Sequence, residues 1–301
     1  MRVAILGEPS GWHVGRLTAA LHAGGHEATV VRWGDLAGEV GGPAGLGAGG
    51  ERFFPEAIDR ADAVLVRGMP RGGLEEVIFR MDLLGRIARH GTPVINSPRS
   101  LETSIDKYLS LARMAEAGIP VPRTIVAQSP AAIEDAWQTL GCDAVVKPLF
   151  GSRGQGIERL TSREMLAPYL AAAATADPPG AVCHLQEFVP HPGWDVRVLL
   201  VGERVFAMRR VSNGDWRLNV SRGGRPEPFS PPDHWIDLAR RAATAVGAEI
   251  AGVDLMPGPD GRVVVIEVNA VPGWRGLETA TGSDIAAAVV RHLEGSVGAN
   301  S

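Results

Sequence analysis

The 301-residue chain is 45% hydrophobic and 21% charged, enough apolar content for one large or two to three small packed units. A formal net charge of −4 and a pI near 6.1, with lysines and arginines dispersed along the chain, argue against a nucleic-acid or anionic-membrane surface and for a small partner. Cys142 and Cys183 are isolated, without C-x-x-C spacing, so neither a zinc site nor a disulfide framework is expected. No leader-like segment and no apolar run near ~18 residues is read, so a cytoplasmic location is the expectation.

Residues 2–6 read as a buried strand, followed at Gly7 by a turn and then a helix over residues 12–23. Residues 28–32 and 62–67 read as strands, the second entered from a glycine-rich loop between Gly34 and Gly50. Leu74, Val77, Ile78, Met81, Leu84 and Ile87 keep a helical period through 72–90, and 93–96 closes as a fourth strand. Strands alternating with helices imply a parallel sheet, so residues 1–97 are predicted to form a small open α/β domain. Its first turn, Gly7-Glu8-Pro9-Ser10-Gly11-Trp12, is not a dinucleotide fingerprint and is open to substrate binding or to simple packing.

Thr103 followed by Asp106 reads as a capping box for a helix that runs to Gly118, which puts Lys107 in the first turn. A cation there is disfavoured by the helix dipole, so it points either to water or to an anion bound at the helix N-terminus. A strand over 123–127, a helix over 130–140 and a strand over 144–147 lead into Pro148-Leu149-Phe150-Gly151-Ser152-Arg153-Gly154-Gln155-Gly156, from which a return strand runs over 156–160. Glycines let backbone amides approach anionic oxygens, and Lys147 at the mouth of the loop can add a point charge to the same phosphates. The loop lacks G-x-x-x-x-G-K-[ST] and opens a hairpin; the alternative is a flexible turn with a solvated lysine. With a helix over 162–174, residues 98–184 are expected to form a compact α+β unit.

Residues 185–301 have a different texture. A strand over 182–189 runs into a proline-rich turn, and strands over 195–201 and 204–210 are joined by Gly202-Glu203, a two-residue hairpin signal. Alternation puts Asp195 and Arg197 on one face. A helix over 233–246 precedes a hairpin over 249–269, and a tail helix spans 282–293. On the second strand of that hairpin Val264, Ile266 and Val268 are expected on one face, leaving Glu267 and Asn269 on the other. A four-residue loop, 259–262, sets Asp254 opposite Glu267, a like-charge pair that destabilises a sheet unless neutralised. Oxygen ligands of this kind suit Mg²⁺; a merely wet polar face is the alternative.

Lys107, Val146-Lys147-Pro148, the glycine loop, Gln186-Glu187-Phe188-Val189, Asp254 and Glu267-Val268-Asn269 resemble, in order and spacing, the motifs of the ATP-grasp superfamily. The fuller set, with Asp195-Val196-Arg197, Trp216-Arg217-Leu218-Asn219, Ser221-Arg222-Gly223-Gly224 and Val268-Asn269-Ala270-Val271-Pro272-Gly273, is similar to its RimK-type branch of amino-acid ligases. The resemblance implies an ATP-grasp fold of mixed α/β and α+β class, with an N-terminal α/β domain, a central lid and a C-terminal catalytic domain built on an antiparallel sheet. It implies ATP with two Mg²⁺ ions, for which Mn²⁺ can substitute, held by Asp254, Glu267 and Asn269. Lys107, Lys147 and the loop residues Gly151, Ser152, Gly154 and Gly156 would meet the phosphates. Gln186, Glu187, Phe188 and Val189 would form the adenine hinge, with Asp195 by the ribose and Arg217 and Asn219 beside the phosphates.

The implied reaction activates a carboxylate as an acyl-phosphate, which an amine then attacks. Arg197 and one of Arg209 or Arg210 are candidates for the carboxylate and acyl-phosphate, because guanidinium forks match planar oxyanions; the alternative for these arginines is a strand-to-strand salt bridge with Asp195. Arg222, Trp274 and Arg275 are candidates for the acceptor or amino acid, with packing the alternative for Trp274. Ser221 stands where protein-modifying members have a histidine, and the stretch after the metal ligands is closer to members that add glutamate to a pterin-type cofactor. The expected partners are therefore a small-molecule acceptor and an amino acid, with no nucleic acid and no membrane, and homo-oligomerisation left open. Competing readings are a nucleotide-binding module without turnover, or the same fold serving another nucleophile, as in protein-tail glutamylation or D-alanine and other dipeptide synthesis.

Overall fold

Buried strands alternate with helices over the first hundred residues, and they build a parallel sheet in the computed structural model, which describes residues 1–42, 50–149, 155–175, 182–220 and 223–298. β1 (Arg2–Leu6), α1 (Trp12–Ala23) and β2 (Glu27–Val31) come first. A hairpin of β3 (Ala37–Glu39) and β4 (Arg52–Phe54) and a single turn, α2 (Glu56–Asp59), precede β5 (Ala63–Val66), α3 (Leu74–Arg89) and β6 (Val94–Ile95). The sheet order is β2-β1-β5-β6, so the direction of connection reverses between β1 and β5. The β3–β4 hairpin lies in the stretch expected to be loop, because strands of three residues flanked by glycines carry too little periodicity to be read.

Two helices follow where the sequence suggested one, α4 (Pro98–Ile105) and α5 (Lys107–Glu116). The expected capping box does not form. Asp106 is itself the N-cap of α5, accepting from the amides of Tyr108 and Leu109, while the Thr103 hydroxyl donates to the Arg99 carbonyl inside α4. Lys107 remains the first helical residue of α5.

β7 (Thr124–Ala127), α6 (Pro130–Thr139), β8 (Ala144–Lys147), β9 (Glu158–Leu160), α7 (Arg163–Thr175) and β10 (Cys183–Glu187) make a second unit. Its antiparallel sheet runs β7-β10-β8-β9 over its own core of Ile133, Trp137, Val146, Leu160, Leu166 and Leu185. The C-terminal sheet is built from β11 (Trp194–Val201), β12 (Arg204–Val211), β13 (Arg225–Pro228), then, after α8 (Asp233–Val246), β14 (Ile250–Pro257) and β15 (Val263–Asn269), followed by α9 (Arg275–Thr281) and α10 (Ile285–Gly298). It is antiparallel in the order β13-β12-β11-β14-β15. β13 escaped the sequence reading because Pro226 and Pro228 break a ladder, and an edge strand tolerates them. The tail helix expected over 282–293 is α10, which starts at Ile285, and α9 before it, capped by Gly282 at φ +67°, was not read from the sequence.

β11 links the cores. Val196, Val198 and Leu200 share one cluster with Ala239 and Ala242 of α8, whereas Leu199 and Val201 pack with α1 and α10, and that second face continues to Asp195 and Arg197. Leu111 and Met114 of α5 belong to the α8 cluster, not to the core of the β7–β10 unit. Lys107 and Lys147 are therefore carried by different packing units. Among the described residues no helix is long and apolar enough to cross a membrane.

Candidate active site

Pairing of β14 with β15 sets Asp254 opposite Glu267, as alternation predicts, but by a different route. The loop takes residues 258–262, one more than expected, and a register shift after Asp254, which leaves Ile266 as the extra residue, compensates. The bulge also changes the faces. Val265 and Val268 enter the core, and Ile266 lines the cleft with Glu267, so the expected Val264-Ile266-Val268 face does not form.

Lys147 ends β8 on the opposite wall, paired with His184 of β10. Lys107, Ser110, Lys147, His184, Gln186, Ile266 and Glu267 enclose a cavity of about 10 Å³, room for a single water. Lys147 Nζ donates to Gln186 Oε1 at 2.5 Å, and the Gln186 amide donates to Thr124 Oγ1 at 3.0 Å, which fixes the amine over the cleft. Burial pushes the Lys147 amine down to about 8; Glu267 pulls against this and Lys107 adds to it. Lys107 Nζ donates to the Leu149 carbonyl at 3.3 Å. His184 is fully buried, and burial beside Lys147 pushes its imidazole down to about 4, so it is neutral. Neither of its ring nitrogens has a partner among the described residues.

The sheet wall is compensated instead. Arg197 forks onto Asp254 at 2.5 and 2.7 Å, and Arg210 forks onto Asp195 and reaches Asp254 Oδ2 at 3.0 Å. Cross-strand position dictates these partners: Arg210 lies opposite Asp195, and Arg197 opposite Asp254. Of the arginines weighed for a salt bridge with Asp195, Arg210 makes it, whereas Arg197 pairs with Asp254. Burial pushes the Asp254 carboxyl up, but Arg197 and Arg210 outweigh it and hold it at about 2. Arg209 points to the other face and donates to Glu227 at 2.8 Å.

The remaining expected residues are spread around the cleft. The Glu187 amide donates to the Arg123 carbonyl at 2.9 Å, and the Phe188 amide to that of Asp143 at 3.4 Å. The Phe188 ring lies under Arg159 at 3.4 Å and packs edge-on with Trp216; Val189 is half-buried beside it. Arg217 pairs with Asp215 and reaches the Ile157 carbonyl at 3.4 Å, while Asn219 is half-buried. Gly156 needs to be glycine: φ is +67°, and a Cβ would sit 2.9 Å from Pro148. Trp274 is buried and Arg275 exposed, its guanidinium 5.7 Å from the Trp12 ring. Gly151, Ser152, Gly154 and Arg222 lie outside the described residues.

No group of three or more His, Cys, Asp or Glu is gathered among the described residues. The donors nevertheless fit magnesium. All are hard oxygens, and Glu267 makes no ion pair among the described residues. Asp254 accepts two bonds from Arg197 and an ion-pair contact from Arg210, fewer than the roughly four its lone pairs allow, and among the described residues Asn269 Oδ1 accepts only from the Val271 amide, at 2.8 Å.

Sequence reasoning missed what anchors the loop after β15. Asn96 donates to the Ala270 carbonyl, Arg67 to that of Pro272 at 2.8 Å, and His13 Nε2 accepts from the Trp274 amide at 2.9 Å. Arg67 and Asn96 directly follow β5 and β6 and His13 opens α1 after β1, so all three stand at the carboxyl edge of the N-terminal sheet, and only the carboxyl-edge rule for open α/β sheets would have signalled them.

Residues 104–293 match the RimK-like ATP-grasp domain family. The chain is 30% identical over 283 residues to the tetrahydromethanopterin:alpha-L-glutamate ligase of Methanosarcina acetivorans, covering 84% of each chain. It is 31% identical to a probable alpha-L-glutamate ligase of Teredinibacter turnerae, covering 98% of this chain and 95% of the relative. Among solved structures it is similar to the ATP-grasp ligase PsnB complexed with minimal precursor, with a TM-score of 0.76 at 27% identity over 98% of both chains. A second PsnB structure, with minimal precursor, Mg and ADP, gives 0.74 at 26% identity over 99% of this chain and 98% of that one.

Proposed function

This chain belongs to the RimK-like ATP-grasp family of ligases, which form carbon–nitrogen bonds, and on that premise we propose that it is a Mg·ATP-dependent carboxylate–amine ligase adding L-glutamate, or a similar amino acid, to a small-molecule acceptor, a pterin-type cofactor being the candidate class. The observation that carries the reading is the single cleft in which Lys107 and Lys147 face Glu267, with Asp254 opposite Glu267 on the ladder. Two cations, one from α5 and one from β8, meet the carboxylates of β14 and β15, the charge pattern of a site for a metal-bound polyphosphate.

In the proposed reaction an acceptor carboxylate oxygen attacks the γ-phosphorus of ATP, giving an acyl-phosphate and ADP. The amino group of the amino acid then attacks the acyl carbon, loses a proton and expels phosphate. Lys107 and Lys147 neutralise the transferring phosphoryl oxygens, and Gln186 holds Lys147 in place. Asp254, Glu267 and Asn269 would hold Mg²⁺, which when bound spreads the negative charge of the triphosphate. Arg197 and Arg210 line the same wall, within reach of an oxyanion there, while Arg209 is turned away. An acyl-phosphate is lost if water reaches it. The far end of the glycine loop is tied to both neighbouring bodies, Gln155 to Arg71 at 3.0 Å and the Ile157 carbonyl to Arg217, consistent with a lid closing over the reaction.

The test is ADP release with ATP, Mg²⁺ and isotopically labelled glutamate in a metabolite extract, followed by mass spectrometry of the product. ADP should form only when amino acid and acceptor are both present, and the label should enter a small molecule. A second reading keeps the chemistry and makes the acceptor a peptide carboxylate; it is favoured by the similarity to PsnB complexed with its precursor. Label appearing in a polypeptide fraction instead would select it.

A further inference from the structure

Arg67 ends the chain's approach to the carboxyl edge of the N-terminal sheet, immediately after β5, and Gly7 occupies the same edge after β1. A Cβ placed on Gly7 would lie 3.6 Å from the Arg67 Cβ, so the two turns meet where the order of connection reverses, the position at which open α/β sheets bind ligands. The guanidinium lies 4.3 Å from the centre of the Trp274 ring and donates one Nη2 bond to the Pro272 carbonyl. Its buried Nε has no acceptor, and the buried indole N–H of the same Trp274 ring has none either, both among the described residues. Arg67 forms no ion pair with any described carboxylate, and burial alone disfavours its charge. Two unsatisfied donors, one on the guanidinium and one on the ring it covers, thus occur at one place.

The position joins the site already described. Pro272, which Arg67 holds, sits against Gly252: a Cβ there would come 2.9 Å from the proline ring and 3.5 Å from Arg197 Nη1, and Arg197 is bonded to Asp254. Overhead, Arg71 of the same turn bonds Gln155 at the end of the glycine loop. The space beside Gly68 is open, with nothing within 4 Å of a Cβ built there. We propose that Arg67, with the Trp274 indole N–H, forms a carboxylate-binding subsite for a non-reacting carboxylate of the amine substrate. A carboxylate supplies two acceptor oxygens for the two orphaned donors, and a guanidinium fork matches its plane. The subsite explains how an acidic amino acid would be oriented: one carboxylate on Arg67 leaves the amino group to face the acyl carbon. This rests on the ligase reading for the identity of the ligand.

The test is calorimetric titration of the protein loaded with Mg²⁺ and a non-hydrolysable ATP analogue, using L-glutamate, L-glutamine and glutamic acid α-amide on the wild type, Arg67→Gln and Arg67→Lys. Loss of a charged hydrogen bond predicts weakening of glutamate binding by about 10- to 100-fold in Arg67→Gln, with a smaller loss in Arg67→Lys. Nucleotide-analogue affinity should stay within about twofold, which shows that the variants fold. One of the two amides should bind the wild type weakly and lose nothing further in Arg67→Gln, and its identity names the carboxylate that Arg67 reads. Equal glutamate affinity in wild type and Arg67→Gln, an equal loss for glutamate and both amides, or no glutamate binding by the wild type overturns the proposal. ADP release by the wild type is measured beside it. Turnover with an unchanged glutamate KM in Arg67→Gln rejects the subsite and keeps the ligase; glutamate binding through Arg67 without ADP under any acceptor rejects the ligase and keeps the subsite.

Discussion

The two walls of the cleft treat charge in opposite ways. On the sheet wall, Asp195, Arg197, Arg210 and Asp254 cancel one another through forked bonds, two anions against two cations. On the facing wall the half-buried Lys147 and the buried His184, which has no partner among the described residues, lie beside Lys107, with the neutral amide of Gln186 to steady the Lys147 amine. A site that must accept a polyanion gains most from donors whose field is not already spent, whereas one that must keep its shape gains from groups that satisfy each other. The difference separates binding residues from framework residues without reference to any ligand.

Substituting the facing wall should have the largest effect on activity. Lys147→Met should lower kcat/KM for ATP by roughly 10²- to 10³-fold, as loss of a preorganised charge in a buried site does. It should not lower Tm, because the side chain it removes carries a charge that burial disfavours. Glu267→Gln should abolish ADP release to a similar extent, and its activity should be the more dependent on Mg²⁺ concentration. A Lys147→Met protein that unfolds early would break the comparison, since it would make the lysine part of the framework.

Arg210→Met is the matched change on the sheet wall. It leaves Asp195 without its forked partner inside the sheet, and removing one member of a buried pair costs about 3 to 5 kcal/mol. Denaturant unfolding should show that loss even with no nucleotide present. A mild stability loss combined with a collapse in kcat would instead make Arg210 a ligand for substrate in the resting protein.

How much of this was legible in the chain follows from which contacts are local. The pairing of Asp254 with Glu267 could be counted, because alternation and a short loop fix a hairpin register, and the one-residue loop error was absorbed by the bulge at Ile266. Lys107 at a helix start was legible too, but its cap was misread, since Asp106 satisfies the amides that Thr103 was expected to serve. The partner of Arg197 was not legible. It depends on β14 lying beside β11, and strand order is set by packing across some 50 intervening residues rather than by pattern. Arg67 was further out of reach, because its contacts at Pro272 and Trp274 come from the opposite end of the chain.

The pH response should sharpen the comparison from the lid side. Lys147 is charged below about 8 and neutral above it, so kcat/KM for ATP should bend downward near pH 8, about tenfold per unit beyond it. Bound phosphates favour the charged form, so kcat itself should hold to higher pH. Lys147→Arg should remove the bend. For stability the sign is the reverse: the folded amine binds its proton less tightly than the unfolded one, so this group's penalty is full below about 8 and is relieved as pH climbs toward the ordinary lysine value. A bend that persists in Lys147→Arg would assign the titration to another group.

The smallest effect is expected one residue from the largest framework effect. Arg209 is the neighbour of Arg210 on β12, but alternation turns it to the opposite face, where it pairs with Glu227 at 41% side-chain exposure. An ion pair in that setting contributes at most about 1 kcal/mol, because water screens it and two long side chains must be held still. Arg209→Met should therefore change unfolding free energy by less than that and leave ADP release within about twofold of wild type. Sequence alone gave the two arginines equal standing as contacts for the acyl-phosphate, so the pair is a direct measure of what the sheet adds. If Arg209→Met proved the more damaging of the two for kcat, the catalytic face of β12 would be the one carrying Glu227, and the compensated cluster behind Asp254 would be ordinary core.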